Sequence, residues 1–177
     1  MRSLLKEREL ISCEVSKVNQ NNGKIELQTR NYQRMGKLTN GFLVKINPNF
    51  IRRMKSHMID FFEKTVKVIV GKNGYVWIFS PTKEVDFELR ARMTLVRGAF
   101  LCLQDEKLSV FKQSVESVMD KLVENEINPK EMKKHSSVLC EGARTLIENE
   151  MELEKSIELK FLQQKEIESL NGNFLKD

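Results

Sequence analysis

Residues 66–79 read VKVIVGKNGYVWIF and carry the strongest strand signal of the sequence. Two runs of β-branched and aromatic residues, Val66–Val70 and Tyr75–Phe79, flank the four residues Gly-Lys-Asn-Gly. The Asn-Gly pair tolerates the positive backbone dihedrals that a tight hairpin turn requires. The pattern therefore predicts two antiparallel strands, and Pro81 ends the second because proline cannot donate to a strand ladder.

Upstream of this hairpin the sequence predicts further strands and one helix. Apolar and polar residues tend to alternate over residues 10–18 and 24–28, with a polar, Asn-rich stretch between them, which predicts another hairpin. A third strand is predicted over residues 41–46. Asn47-Pro48 then favours the start of a helix, and apolar residues at spacings of three and four extend it to about Phe62.

Downstream of Glu84 the pattern is helical. One helix is predicted around Leu89–Phe100 and a second around Val110–Leu122, and Asn128-Pro129 favours the start of another. Apolar residues at helical spacing continue to Ile167 with alternating Glu and Lys between them, which is typical of a solvated or partner-packed helix. Strands followed by helices predict an α+β protein.

The net charge of +5 is unevenly distributed. Residues 1–103 carry 19 Lys and Arg against 9 Asp and Glu, a balance of +10, whereas residues 104–177 carry 11 against 16, a balance of −5. Between Leu27 and Ile59 there are seven basic residues and no acidic one. Lys and Arg gain affinity for nucleic acid by releasing counterions from phosphates, so this acid-free window favours a polyanion partner. Two alternatives would also explain the basic residues: a charged surface that only keeps the protein soluble, and a docking surface for other proteins.

Catalytic and metal sites are not indicated by the sequence. His57 and His135 are the only histidines, and neither has a His or Cys at metal-ligand spacing. The three cysteines are far apart, which predicts core residues rather than a disulfide framework or a metal site. No phosphate-binding loop, GxSxG or HExxH motif occurs, so we expect no enzyme, no cofactor and no small-molecule substrate. No uninterrupted apolar run approaches the length of about 18 residues that a membrane-spanning helix needs. We therefore expect an intracellular protein that does not bind a membrane.

Three segments carry a resemblance to a known family. They are MGKLTNG at residues 35–41, NPNFIRRMKSH at 47–57 and VIVGKNGYVWI at 68–78. In type, order and spacing these residues resemble the ribosomal RNA-processing protein 4 family, the cap subunits of the eukaryotic RNA exosome. The similarity starts at Met1-Arg2-Ser3 and continues more weakly to about Glu150.

The resemblance implies a domain organisation. Residues 1–45 are expected to be the C-terminal strands of an S1-type OB barrel, residues 46–125 a KH-like α/β domain and residues 126–177 a C-terminal helical extension. A partial barrel cannot close its core, so residues 1–45 are predicted to be the least stable part of the chain unless a neighbour shields them. The resemblance also implies that either the sequence is truncated or its gene model is incomplete.

The resemblance also implies a function without chemistry: binding RNA, helping to admit it to a ring of RNase PH-like subunits for decay from the 3′ end, and stabilising the ring. The expected partners are RNA, those ring subunits and other cap subunits, in the nucleus, including the nucleolus, and in the cytoplasm. A stand-alone KH or OB protein of translation or messenger RNA regulation and a protein-only scaffold are the alternatives. An ordinary KH domain grips RNA with a GxxG loop between helices, whereas the glycines here lie in a predicted hairpin.

Two groups of site residues follow from these arguments. The predicted structural motif, which the resemblance implies holds the fold at a domain interface, is Gly71, Asn73, Gly74 and Trp77. RNA contact is the alternative for its two glycines and its asparagine. The predicted RNA contacts, for some of which docking to the ring is the alternative, are Arg34, Lys37, Lys45, Arg52, Arg53 and Lys55.

Overall fold

A computed structural model of the chain describes residues 5–29, 35–82, 84–125 and 131–173, with side chains except those of 133 and 161–173. The strands are β1 Ile11–Ser12, β2 Glu14–Val18, β3 Ile25–Gln28, β4 Gly36–Lys37, β5 Gly41–Lys45, β6 Met58–Phe61, β7 Val66–Val70 and β8 Tyr75–Phe79. The α-helices are α1 Phe87–Asp105, α2 Lys112–Glu124, α3 Ser136–Leu139 and α4 Glu141–Asn173, and short 3₁₀ helices cover Pro48–Phe50 and Met132–His135.

The main sheet has the strand order β5-β8-β7-β6, and all its pairings are antiparallel. Val70 lies opposite Val76 across the predicted hairpin, which the structure confirms. β5 pairs with β8 along its whole length, from Gly41 opposite Phe79 to Lys45 opposite Tyr75. The predicted strand over 41–46 is therefore confirmed, and it lies in the same sheet as the hairpin, although the predicted domain division set residues 1–45 apart.

One face of this sheet packs against the helices. Because paired residues of an antiparallel sheet share a face, Val44, Val76, Val70, Val68 and Ile59 form one buried layer. α1 contacts β7 and β8, α2 packs on α1, and α4 packs on α2. Asp86 caps α1, its side chain accepting a hydrogen bond from the Leu89 amide at 2.8 Å. The α+β class predicted from the sequence is confirmed by this arrangement of strands and helices.

The N-terminal strands form two separate pairs. β2 and β3 are an antiparallel hairpin, as predicted, with an irregularity between Val15 and Lys17. The two-residue strands β1 and β4 pair with each other. Within the described residues these sheets are not closed into a barrel.

The helix predicted from Asn47 to about Phe62 is wrong. Its start signal does act, since the Asn47 side chain accepts from the Asn49 amide at 3.0 Å, but only one 3₁₀ turn follows. Ile51 instead bridges to Val110, whose amide donates to the Phe50 carbonyl at 2.7 Å and whose carbonyl accepts from Arg52 at 3.3 Å. These long-range bonds replace those of a second helical turn, and residues 58–61 become an edge strand.

The predicted helices downstream of Glu84 are confirmed as α1 and α2. The capped start predicted at Asn128-Pro129 lies outside the described residues. The helical periodicity predicted up to Ile167 is confirmed as α4.

Candidate nucleic-acid interface and glycine-rich hairpin

The Gly71–Gly74 turn is tightly tied to the strand end beside it. The Gly71 amide donates to the Tyr75 carbonyl at 2.8 Å, and the Gly74 amide donates to the Gly71 carbonyl at 3.0 Å. The Asn73 side chain accepts from the Tyr75 amide at 3.2 Å. The Gly74 carbonyl in turn accepts from the Ile46 amide at 2.8 Å, which fixes the hairpin to the end of β5.

Gly74 occupies a position that only glycine fits without strain. Its φ of +87° is unfavourable for residues with a Cβ, and a Cβ there would meet the Ile46 carbonyl oxygen and the Pro48 Cδ, the latter at 3.1 Å. The residue is buried. Backbone packing therefore accounts for the glycine at this position, and the structural role predicted for the motif stays a prediction that a variant can test.

Trp77 lies on the sheet face opposite the helices, where it pairs with Leu43 and Ile69. Its side chain is nearly covered, at 8% exposure, and its Nε1–H has no hydrogen-bond partner among the described residues. A shallow cleft of about 180 Å³ lies beside it, between the 37–40 segment and the end of β8. The cleft has a mixed lining, with Lys37 and Asn40 on one side and Phe79 and Ser80 on the other.

Lys37 is engaged with an acidic residue. Its Nζ lies 2.6 Å from the Glu9 carboxylate, on the surface of the N-terminal strands. That hydrogen bond, together with one from the Lys6 amide, lowers the pKa of the Glu9 carboxyl. As a phosphate contact, Lys37 would have to exchange this partner for RNA.

Lys45 and Tyr75 form an exposed pair at the edge of the main sheet. They lie directly opposite each other on β5 and β8, and the Lys45 ammonium is 5.7 Å from the centre of the Tyr75 ring. No local sequence pattern predicts this pairing, because β6 and β7 lie between β5 and β8 in the chain, whereas β5 and β8 are neighbours in the sheet. An aromatic ring beside a cation is the arrangement on which nucleic-acid bases stack and phosphates bind.

The other predicted contacts lie in the extended segment between the 3₁₀ turn and β6. The Arg52 guanidinium carbon lies 5.2 Å from the centre of the Phe111 ring and pairs with the Glu150 carboxylate of α4. Arg53 and Lys55 are exposed, and neither forms an ion pair within the part of the chain that the structure describes. Arg34 lies outside the described residues. The structure therefore distributes the predicted cations over three sites, of which the 51–57 segment has the most available charge.

One histidine and two cysteines, which are residue types that can act in catalysis, contact the backbone or are buried in the core. His57 Nδ1 lies 2.8 Å from the Val70 carbonyl oxygen. Burial raises the pKa of the Cys102 thiol to about 11 and that of the Cys140 thiol to about 12, so both are protonated at neutral pH. Among the described residues no group of His, Cys, Asp and Glu is arranged to hold a metal ion. No helix of the described chain is long and apolar enough to cross a membrane.

The main sheet lies in a region that is similar to known proteins. Residues 41–84 match the family model of a KH domain. The mouse (Mus musculus) exosome complex component RRP4 is 42% identical over 84 residues, which are 48% of this chain and 27% of the mouse protein. The Caenorhabditis elegans exosome complex component RRP4 homolog is 31% identical over 130 residues, 65% of this chain and 42% of that protein.

A fungal protein shows the same similarity. The Saccharomyces cerevisiae exosome complex component RRP4 is 37% identical over 78 residues, 44% of this chain and 21% of the yeast protein. The chain thus spans between about a fifth and two fifths of the length of these curated relatives. Relatives from three distant organisms share one name, and the KH match falls on the sheet that the glycine-rich hairpin builds. These similarities support the assignment of the chain to the family of the exosome complex component RRP4.

Proposed function

We propose that the chain is a non-catalytic, RNA-binding cap subunit of the RNA exosome, which helps to bind RNA, to admit it for decay from the 3′ end and to stabilise the ring. The observation that carries the RNA-binding part is the exposed pair Arg53 and Lys55, within the KH match and without an acidic partner among the described residues. Lys45 beside Tyr75 adds a cation and a stacking surface in the same domain.

The available charge supports a modest, salt-sensitive affinity. If Lys45, Arg53 and Lys55 each neutralise one phosphate, the affinity for single-stranded RNA falls about tenfold to twentyfold between 50 and 200 mM salt. The lack of catalysis is supported by the surroundings of the possible nucleophiles and bases, since both buried thiols are protonated at neutral pH. We infer that the protein is located in the nucleus, including the nucleolus, and in the cytoplasm.

Fluorescence anisotropy with a labelled single-stranded RNA tests the RNA-binding part. The double variant Arg53→Ala/Lys55→Ala is expected to bind about tenfold more weakly at 50 mM salt, because two phosphate contacts are lost. The control, Arg97→Ala/Lys134→Ala, removes one Arg and one Lys from exposed helical positions and is expected to change affinity less than twofold. Equal losses in both double variants would mean diffuse attraction rather than a defined surface. A wild-type chain that leaves the RNA unbound would refute RNA binding.

Assembly requires a separate measurement. Co-expression with RNase PH-like ring subunits, followed by size-exclusion chromatography, is expected to give a stable complex that includes the chain. A chain that stays monomeric but binds RNA would instead support a stand-alone KH protein. Reduced assembly of Arg53→Ala/Lys55→Ala with unchanged RNA affinity would move these residues from RNA contact to docking.

A further inference from the structure

Arg52 is held by three groups from two parts of the chain. Its amide donates to the Val110 carbonyl at 3.3 Å, its guanidinium carbon lies 5.2 Å from the Phe111 ring centre, and its terminal nitrogen pairs with Glu150. Phe111 is itself buried. The backbone and the aromatic ring therefore fix the position of Arg52, whereas its charge is neutralised by a residue 98 positions away on α4.

The Arg52–Glu150 pair is neither fully exposed nor sealed from water. The Arg52 side chain is 28% exposed and the Glu150 side chain 40% exposed. Partly exposed ion pairs of this kind contribute little to stability, because water and salt screen them and ordering two long side chains costs entropy. A pair that opens readily leaves an arginine accessible from solvent, next to the unpaired Arg53.

A carboxylate and a phosphate compete for the same arginine. Both are oxyanions that accept hydrogen bonds from the planar guanidinium fork, and both bind it with similar geometry. Because Glu150 belongs to the same chain, it competes at a high effective concentration that dilution does not reduce. A guanidinium already fixed against Phe111 would need no rearrangement of its own to accept a phosphate in place of Glu150.

From this geometry we propose that α4 is an internal competitor of RNA: Glu150 occupies the guanidinium of Arg52, and RNA binding displaces it. The proposal rests on the proposed RNA-binding function and adds a regulation to the same surface. It assigns Arg52 to RNA contact only when the Glu150 carboxylate has left. Any partner that draws α4 away would raise the affinity of this surface for RNA.

The test is Glu150→Gln, which keeps the size of the side chain and removes its charge. The expected result is an affinity for labelled single-stranded RNA about two- to fivefold higher at 50 mM salt, the range that a partly exposed ion pair allows. One additional phosphate contact would also steepen the slope of log affinity against log salt by about 0.7. The matched control is Glu152→Gln, two residues along α4, which is exposed and forms no ion pair among the described side chains.

Arg52→Ala combined with Glu150→Gln completes the design, and the gain from Glu150→Gln is expected to vanish in that background. Equal affinity gains in Glu150→Gln and Glu152→Gln would overturn the proposal, because they would show a general effect of negative charge on α4. Glu150→Asp, which keeps the charge but shortens its reach, is expected to give part of the gain and serves if the Gln variant is poorly folded. A wild-type chain without RNA affinity would refute the proposed function itself, whereas wild-type binding with no response to Glu150 would refute only the competition.

Discussion

The main sheet with its helices and the N-terminal hairpin β2–β3 are both built from antiparallel strands, but their burial is opposite. Val68 in β7 is completely buried, whereas Val15 in β2 and Leu27 opposite it are 58% and 56% exposed. All buried apolar residues of the described chain lie at Val44 or beyond. An alternating sequence therefore predicts a strand, but it does not show what covers the strand. An isolated two-stranded hairpin is marginally stable at best, so the two regions should differ in stability.

The largest expected effect comes from making the same substitution in both regions. Val68→Ala should lower the free energy of unfolding by about 2–4 kcal/mol, because it removes fully buried methyl groups and leaves a cavity. Val15→Ala should change it by less than about 0.5 kcal/mol, since its side chain is already largely hydrated. Urea unfolding followed by the fluorescence of Trp77, the only tryptophan, measures both.

A loss of unfolding free energy above about 1 kcal/mol for Val15→Ala would contradict the difference between the two regions. It would mean that the exposed aliphatic face of the hairpin is covered in solution, by a second copy or by another part of the chain. Repeating the measurement at several protein concentrations separates these two cases, because only a second copy makes the effect depend on concentration.

Local patterns in the sequence predicted much of the fold correctly, because the responsible interactions are local. The Asn-Gly turn determines the β7–β8 hairpin, and the apolar spacing after Glu84 determines α1 and α2. The helix predicted at 47–62 failed for the opposite reason. Its start signal is local and functions, but the following residues bond to Val110, about 60 positions away, and no periodicity in residues 47–62 encodes that contact.

The candidate site also has features that the sequence predicts and features that depend on tertiary contacts. The acid-free window between Leu27 and Ile59 includes the 51–57 segment, where Arg53 and Lys55 are exposed. It could not show that Arg52 faces Glu150, because α4 carries many glutamates at similar spacing and only packing on α2 selects one of them. Side-chain types and spacing therefore indicate where charge accumulates, whereas tertiary contacts determine which charges remain available.

An intermediate effect is expected from the glycine hairpin. Gly74→Ala should lower the free energy of unfolding by about 2–3 kcal/mol, because it forces a Cβ residue to positive φ against the Ile46 carbonyl. Gly23→Ala is the matched control: its φ is also positive, at +67°, but nothing lies within 4 Å of the added Cβ. The control should strain only the β2–β3 turn and leave the Trp77 unfolding transition nearly unchanged. Equal shifts in the two variants would show that the close contact at Gly74 relaxes without cost.

The smallest expected effect is a pH dependence confined to the helical part of the core. Burial raises the pKa of Cys102 to about 11 and that of Cys140 to about 12, against 9.0 for the free thiol. The folded chain therefore keeps protons that the unfolded chain loses, so their contribution is complete below about pH 9 and is lost as the pH rises towards 11. Between pH 8 and pH 9.5 the free energy of unfolding should fall by about 1–2 kcal/mol from these two thiols together.

Urea unfolding at the two pH values checks this dependence, with Cys102→Ala/Cys140→Ala as the test variant. That double variant is less stable at both pH values because it loses packing, but its loss between them should be smaller than that of the wild type. Cys13→Ala is the control, because it removes a thiol that lies with the N-terminal strands and leaves Cys102 and Cys140 in place. A Cys13→Ala chain that loses the dependence would contradict the comparison, since it would place the N-terminal strands in the same cooperative unit as the buried helices. If Cys13→Ala keeps the wild-type dependence and the double variant loses less stability, the alkaline sensitivity belongs to the two buried thiols, of which Cys102 lies in α1 and Cys140 lies just before α4.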